Sequence, residues 1–275
     1  MLSPAQRATF EERGLLRLPA SVDGRVVGAL RERILAHLRA RKLVPDPCPP
    51  GFAVNPSLTA SVVNAHGFEE IWGASVPELL DVLLGAGAWH RPKHAGQLLA
   101  VTFPAGTSWQ LPHKVWHLDY TAPGALRALP GIQLFLCVDR VAPHAGGTLV
   151  VTGTHRLIDA LRHREGPAWP GRSAEVRRRL RLEVPWLREL GSLREGEDRE
   201  ARFMEQPTRC EGAALQVVEL CGEPGDVYAM HPWLLHAPST NCGELPRMVL
   251  TERIRTARTG SRVGLLAPPT TGMRR

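Results

Sequence analysis

The sequence predicts a mainly β protein with helical additions, built on a jelly-roll core of two sheets. Apolar residues recur at helical spacing in about the first 95 residues. From residue 97 onward the period changes, and short apolar runs of strand length follow one another between Gly and Pro residues. Many short strands after a helical start indicate an all-β core, whose expected closed form is a jelly roll. A chain of 275 residues suffices for one large domain with a substantial core. We therefore expect a single domain over 1–275, with a helical part at about 1–95 and the jelly roll at about 96–256.

Three helices are expected in the N-terminal part. The first covers about 4–14, because Ser3 and Pro4 suit the N-cap and the first turn, and Gly14 suits the end. The second covers about 23–41, where apolar residues recur at helical spacing, and the third covers the apolar stretch 75–85. A Pro-rich loop separates the last two at 45–50.

The strands of the core are expected in two groups separated by an insertion. Their predicted ranges are 98–103, 132–139 and 148–152 before it, and 215–220, 226–230 and 248–254 after it. The intervening segment, 157–206, is charged and lacks the strand pattern. Long segments of this kind in compact domains are usually functional, so we expect a lid-like cover over the mouth of the site.

Composition indicates an ordinary globular protein, with 43% hydrophobic and 22% charged residues. No apolar run is long enough to cross a membrane. The N-terminus carries Arg7, Glu11 and Glu12 where a secretory signal needs apolar residues, so a cytoplasmic location is expected. The five cysteines are scattered, with no Cys-x-x-Cys pair, and are interpreted as reduced thiols.

The net charge of +7 raises the question of an anionic partner. Many of the arginines lie in 172–202, interleaved with Glu and Asp, which is typical of a solvated helical face. We therefore expect a small-molecule substrate and neither a nucleic acid nor a membrane as partner. The alternative, a basic nucleic-acid-binding module, has no recognised motif in this chain. The sequence carries no indication of oligomeric state.

A metal site is predicted from His117-Leu-Asp119. On a strand, residues i and i+2 project from the same face, so an imidazole and a carboxylate at this spacing can bind one metal ion together. His231 and His236 are candidates for the third ligand. On a continuous strand they would point to opposite faces, so only one of them should bind. Two His and one carboxylate, with positions left open, are associated with non-haem Fe(II) oxygenases.

At these residues the chain resembles the phytanoyl-CoA dioxygenase family of Fe(II)- and 2-oxoglutarate-dependent oxygenases. The resemblance rests on His117-x-Asp119, on the block from Gly225-Asp226 to Arg247, and on Ala145-Gly-Gly-Thr-Leu-Val-Val-Thr-Gly-Thr-His155. The last segment is similar to the family's Asn-Gly…Pro-Gly-Ser-His turn, with Ala145 and Thr152 as departures. Residues 10–19 also resemble the family's N-terminus. The implied core is the double-stranded β-helix, the cupin-like form of the jelly roll.

The resemblance implies roles for individual residues. His236 becomes the third ligand, because it lies eleven residues before Arg247, as in the family. Arg247 would bind the distal carboxylate of 2-oxoglutarate, since a guanidinium presents paired donors to a carboxylate. Arg253 and Arg255 are rivals that share its strand parity but lie farther from His236. Gln97 and Gln133 could donate to the cosubstrate or be ordinary sheet residues.

The implied function is hydroxylation of an unactivated carbon in a small organic substrate, with Fe(II), 2-oxoglutarate and O2, in specialised metabolism. Asp119 favours hydroxylation, since related halogenases have Gly or Ala at that position. Desaturation, epoxidation or cyclisation with the same cofactors is an alternative, and so is a catalytically silent cupin-like binding protein. Aromatic residues near the expected ligands would either wall a substrate pocket or fill the roll; they are Trp109, Trp116, Tyr120, Phe135 and Trp233.

Overall fold

Two antiparallel sheets form the centre of the protein. The structure is a computed structural model that describes residues 2–56, 68–92, 98–120, 129–169, 171–194 and 196–256. The strands in chain order are β1 (Leu15–Leu18), β2 (Ala53–Val54), β3 (Trp89–His90), β4 (Leu98–Thr102), β5 (Gly131–Cys137), β6 (Leu149–Thr152), β7 (Thr208–Cys210), β8 (Ala213–Glu219), β9 (Val227–Met230), β10 (Leu235–Ala237) and β11 (Arg247–Thr256). The larger sheet has the order β1-β9-β5-β11-β4-β2, with β3 paired to β11, and the smaller sheet has the order β10-β6-β8-β7. No strand pairing closes the described part of the two sheets into one barrel.

The helices lie before the main strands and inside the predicted insertion. Those of the N-terminal part are α1 (Pro4–Arg13), α2 (Gly24–Ala40), α3 (Phe68–Trp72) and α4 (Ser75–Leu84). Those between the strands are α5 (Thr154–Glu165), α6 (Ser173–Glu183) and α7 (Pro185–Leu190), followed by a π-helical turn at Ala201–Glu205. Among the described residues, no helix is long and apolar enough to span a bilayer.

The first helix begins and ends where the sequence predicts. Ser3 and Gln6 form a capping box, in which each side chain accepts the backbone N–H of the other residue. Gly14 ends the helix with φ 70°, and its N–H donates to the carbonyl of Phe10 at 2.7 Å. A Cβ atom at this glycine would lie 2.7 Å from Nδ1 of His155. The helix end therefore packs directly against the start of α5.

Strand β5 separates two parts of the core. Ile132, Leu134 and Leu136 point to one face and pack with the N-terminal helices. Phe135 and Cys137 point to the other face and join the cluster between the sheets. The alternation explains why β5 is buried along its whole length. The larger sheet thus has a helical layer on its outer face and the smaller sheet on its inner face.

The insertion forms a second helical layer, on the outer face of the smaller sheet. Leu149 and Val151 of β6 belong to the same buried cluster as Trp186 and Phe203 of the insertion. The rings of Trp186 and Phe203 meet edge to face at 5.0 Å. The protein is therefore layered as helices, sheet, sheet and helices. A covering role for this segment over the site stays a prediction.

Candidate metal centre

Three side chains from two distant parts of the chain converge at one end of the roll. His117, Asp119 and His236 each offer one ligand atom, and these atoms all lie within 4.8 Å of one another. Nε2 of His117 is 3.7 Å from Oδ1 of Asp119, and Nε2 of His236 is 3.4 Å from Oδ2. Two imidazole nitrogens and a carboxylate oxygen at this separation suit a first-row divalent ion such as Fe(II).

The meeting of His117 and His236 is fixed by the backbone. The two residues form an isolated antiparallel bridge, with N–H to O=C distances of 2.9 and 3.0 Å. His236 lies on β10, whose other neighbour is β6. The chain therefore brings residues 119 positions apart in sequence into direct backbone contact.

The ligand segment is less regular than the expected strand. Residue 117 forms a single bridge, and Val115 has a left-handed φ of 62°, which turns the backbone before a regular ladder can form. The alternation of side chains is nevertheless kept from 116 to 120. Trp116, Leu118 and Tyr120 pack into the cluster of the insertion. His117 and Asp119 point to the metal centre, as the i, i+2 argument predicts.

Helix α6 of the insertion holds this segment from behind. Ser173 Oγ donates to the carbonyl of Leu118 at 3.0 Å, and Arg177 Nη1 donates to the carbonyl of Trp116 at 2.5 Å. These two carbonyls flank His117. The insertion thus positions the metal-binding segment, a contribution that the sequence pattern did not reveal.

Both histidines have the tautomer that a metal site needs. Nδ1 of His117 lies 2.9 Å from the carbonyl of Val115, and Nδ1 of His236 lies 3.0 Å from the carbonyl of Leu234. Because a carbonyl only accepts, each Nδ1 carries the hydrogen and donates it. The Nε2 lone pairs then face Asp119 and are free to bind a metal ion, and the carbonyls fix the ring orientation.

The surroundings of His117 and Asp119 shift the pKa values of these two groups toward the protonation states that bind a metal ion. Burial, and next the neighbouring His236, lower the pKa of His117 to about 4, so this imidazole is neutral near pH 7. Burial alone would raise the pKa of Asp119. The contact with His236 and the charge of Arg253 outweigh it, and the pKa of this carboxyl lies well below its usual range.

His231 is not one of the three clustered residues, and the structural reason differs from the predicted one. The argument from opposite faces assumed one continuous strand, and this assumption was wrong. Residue 231 follows the end of β9 in the larger sheet, whereas His236 lies on β10 in the smaller sheet. His231 Nδ1 accepts the N–H of Trp233 at 3.1 Å, and its ring packs against His155 at 4.7 Å. His155 in turn hydrogen-bonds the carbonyl of Glu11.

Arg247 is a buried cation on the inner face of the roll. It is 5% exposed, and its Nη2 donates to Oγ1 of Thr148 at 3.1 Å. Its Nε is buried without a hydrogen-bond partner, and among the described residues no carboxylate forms an ion pair with it. Burial lowers the pKa of Arg247 to about 10. A buried guanidinium without a carboxylate is suited to bind an anion.

The Gly-Gly-Thr turn presents Thr148 to Arg247. The Glu219 carboxylate accepts the backbone N–H of His144 at 2.7 Å and that of Gly147 at 2.9 Å. A Cβ at Gly147 would lie 2.5 Å from Cγ of Glu219, so only glycine fits here without a shift. This close packing explains the second glycine of the turn.

Of the two glutamines predicted to contact the cosubstrate, the structure describes Gln133 and not Gln97. Gln97 lies outside the described residues. Gln133 is 4% exposed, lies in register with Met230 and Arg253, and has a buried Oε1 without a partner. Arg253, weighed in the sequence as a rival of Arg247, instead places Nη2 2.7 Å from Oδ2 of Asp119. Residues 247 and 253 are an even number of positions apart on one strand, so the sequence already indicated that their side chains project from the same face. The contact between Arg253 and Asp119 depends in addition on the register of β11.

The aromatic residues near the ligands mostly fill the fold. Trp116, Tyr120 and Trp233 are buried in the cluster of the smaller sheet and the insertion, and Phe135 is buried between the sheets. Trp109 is partly buried, stacks on His144 at 4.2 Å and donates to Ser239.

A cavity of about 600 Å³ lies elsewhere, between α2 and the outer face of the larger sheet. Leu35, Val101 and Met248 line it. Val101 and Met248 point toward the N-terminal helices, so the sheet separates this cavity from the metal centre.

Comparisons with known proteins bear on the family and the fold of this chain. The model of the family described as Phytanoyl-CoA dioxygenase (PhyH) matches residues 10–249. A search of curated proteins found no match. Among solved structures, EctD from S. alaskensis in its apo form is similar, with a TM-score of 0.55 and 15% identity over 97% of this chain and 82% of that chain. The epimerase SnoN, solved with Fe3+, alpha-ketoglutarate and nogalamycin RO, has a TM-score of 0.51 and 13% identity over 98% of this chain and 91% of that one.

These two likenesses show the fold, and the family match covers most of the chain. The chain belongs to the phytanoyl-CoA dioxygenase family and is a 2-oxoglutarate-dependent non-haem iron oxygenase.

Proposed function

We propose that this protein hydroxylates an unactivated carbon of a small organic substrate, with His117, Asp119 and His236 as the iron ligands. The observation that carries the proposal is the convergence of the three ligand atoms within 4.8 Å. The Nδ1 hydrogen bonds of both histidines support it, because they leave each Nε2 to the metal.

Bound iron and 2-oxoglutarate would supply the oxidising power for cleavage of a C–H bond, with O2 as oxidant. The residues of this chain hold and orient these groups. Asp119 contributes one negative charge and the two imidazoles are neutral donors, so the set matches a divalent ion. Burial of Asp119 and His236, at 8% and 4% exposure, excludes water from the protein side of the centre.

Arg247 is proposed to bind the distal carboxylate of 2-oxoglutarate. The buried Nε–H of its guanidinium has no hydrogen-bond partner, and Thr148 offers a hydroxyl beside it. Gln133 is proposed as a second contact. The register of Gln133 with Arg253, whose guanidinium contacts Asp119, supports a role at the metal end of the cosubstrate site. A role for Gln97 stays a prediction.

We propose hydroxylation as the outcome of the oxidation. Solved structures of similar fold carry different activities, so the product must be identified directly. One EctD structure contains 2-oxoglutarate with 5-hydroxyectoine, whereas SnoN is described as an epimerase. Desaturation, epoxidation and cyclisation use the same cofactors. Mass spectrometry separates hydroxylation and epoxidation, which add an oxygen atom, from desaturation and cyclisation, which remove two hydrogen atoms. NMR of the product then distinguishes an alcohol from an epoxide, and an alkene from a new ring.

Formation of succinate from 2-oxoglutarate tests the proposal. With Fe(II) and a panel of small organic substrates in air, we expect wild-type protein to form succinate and the His236→Ala variant to form none. His113→Ala is the matched control, because His113 lies outside the three-residue group, and it should behave as wild type. Tight metal binding without any succinate would instead support a catalytically silent binding protein.

A further inference from the structure

We propose that the primary substrate is an organic anion and that Arg253 binds its carboxylate or similar oxyanion. This inference rests on the proposed function, since it names the substrate class of the same site. It starts from the position of Arg253, whose side chain is 14% exposed and whose Nη2 lies 2.7 Å from Oδ2 of Asp119. The same oxygen lies 3.4 Å from Nε2 of His236. The guanidinium is therefore at the edge of the metal centre.

Arg253 and Arg247 belong to two separate anion sites. They lie six residues apart on β11, with side chains on the same face. At a rise of roughly 3.3 Å per residue their Cα atoms are about 20 Å apart. Arg247 contacts Thr148, and Arg253 contacts the ligand carboxylate. An anion held by Arg247 therefore does not pair with Arg253.

When iron and 2-oxoglutarate are bound, Arg253 is a cation in excess at the metal centre. At the metal end of the centre, Fe(II) would carry two positive charges, Asp119 one negative charge and the 2-oxo acid end of 2-oxoglutarate one negative charge, while histidines that bind a metal are neutral. These charges cancel, so Arg253 adds one positive charge to a largely buried centre. Buried charges in proteins are normally paired. The substrate is the remaining component that can supply the negative charge.

Arg253 has a hydrogen-bond donor that an anionic substrate could use. Its Nε is buried without a partner, and Asp119 is its one ion-pair partner among the described residues. Outside the described side chains the sequence holds two further acidic residues, Glu69 and Glu195. The net charge of +7 favours approach of an anion to the protein.

The test measures binding of matched probes to the metal- and 2-oxoglutarate-loaded protein. Linear, cyclic and aromatic carboxylic acids are each paired with their neutral amides, and hexanoate with hexanamide and 3-phenylpropionate with 3-phenylpropionamide begin the panel. Anaerobic protein saturated with Co(II) and 2-oxoglutarate enhances the NMR relaxation of probe protons that lie near the metal. We expect at least one acid to bind about tenfold or more tightly than its amide, as a charge-assisted hydrogen bond predicts.

Three variants locate the effect. Arg253→Gln should reduce the affinity for the acid to that for the amide, and Arg253→Lys should retain part of the preference. Arg255→Gln is the matched control, because Arg255 has the same charge on the same face of β11, and it should bind the acid as wild type does. Thermal unfolding and metal saturation of each variant are checked first.

Two results would overturn the inference. One is a panel in which no acid binds better than its amide; the other is an acid preference that survives in Arg253→Gln, as expected if the acid binds the metal or Arg247. Either result leaves the proposed function intact, provided that the wild type binds Co(II) and 2-oxoglutarate. Failure of the wild type to bind those two would instead remove the proposed function itself.

Discussion

Replacing Arg247 with methionine separates the stability of the protein from its affinity for 2-oxoglutarate. The guanidinium is 5% exposed and has Thr148 as a hydrogen-bond partner, with a buried Nε that has none. Removing such a cation relieves the cost of its burial and loses about 1 kcal/mol of hydrogen bonding. The ligand-free variant should therefore be as stable as wild type or more stable.

The effect on ligand binding should be large. A saturating ligand at 100 times its Kd stabilises a protein by about 2.7 kcal/mol, which for a chain of this size raises Tm by about 5–8 °C. Loss of a charge-assisted hydrogen bond to a carboxylate costs about 1.5–3 kcal/mol, so Kd rises by roughly 10- to 100-fold. At the same 2-oxoglutarate concentration the Tm shift should then fall to about 1–4 °C.

Differential scanning fluorimetry with Ni(II), with and without 2-oxoglutarate, measures both quantities. Arg255→Met is the control, because it removes a more exposed arginine from the same strand and should keep the full ligand shift. A shift in Arg247→Met equal to that of wild type would refute the assignment of the cosubstrate carboxylate to Arg247.

Three further predictions concern pH, packing and the glycine turn. Burial lowers the pKa of His155 to about 4, so this imidazole takes up a proton more readily in the unfolded chain than in the folded protein. The free energy of unfolding therefore decreases as the pH falls from about 6.5 to about 4. In His155→Gln this decrease, measured by urea unfolding, should be smaller by about 3 kcal/mol. Phe203→Ala should cost about 3–5 kcal/mol in the same assay, because the ring is fully buried. Gly147→Ala should weaken 2-oxoglutarate binding, measured by calorimetry, because the new Cβ would displace Glu219 and the turn that presents Thr148.

The predictions for Phe203, Gly147 and His155 have the following controls and contradicting results. Leu182 is 59% exposed on α6, so Leu182→Ala should change stability by less than about 0.5 kcal/mol; an equally small change in Phe203→Ala would contradict the packing of the insertion. Gly28 has open space around it in α2, so Gly28→Ala should stabilise the protein by about 0.5–1 kcal/mol. Unchanged 2-oxoglutarate affinity in Gly147→Ala, or an unaltered pH profile in His155→Gln, would count against the respective argument.

The regular elements could be predicted because local pattern determines them. Ser3, Pro4 and Gly14 mark the ends of α1 within a residue, and the six predicted strands overlap β4, β5, β6, β8, β9 and β11. The short strands β1, β2, β3, β7 and β10 were missed. They contain two to four residues, and pairing with a distant strand defines them rather than any period in the sequence.

The contacts of the site depended on register and topology, which a single sequence does not encode locally. His231 follows the end of β9 in the larger sheet, whereas His236 lies on β10 in the smaller sheet, so strand parity could not relate them. The support of His117 by Ser173 and Arg177 comes from the insertion, whose charged pattern indicated only a solvated helix. The contact of Arg253 with Asp119 required the β11 register.

The central claim is that His117, Asp119 and His236 bind one iron ion together with 2-oxoglutarate. Anaerobic titration of the protein with Fe(II) in the presence of 2-oxoglutarate tests it most directly, because the chelated pair gives a weak metal-to-ligand visible band. We predict that the band saturates at about one Fe(II) per chain and is absent in His236→Ala. A band of equal strength and stoichiometry in His236→Ala, or no band in the wild type, would contradict the claim.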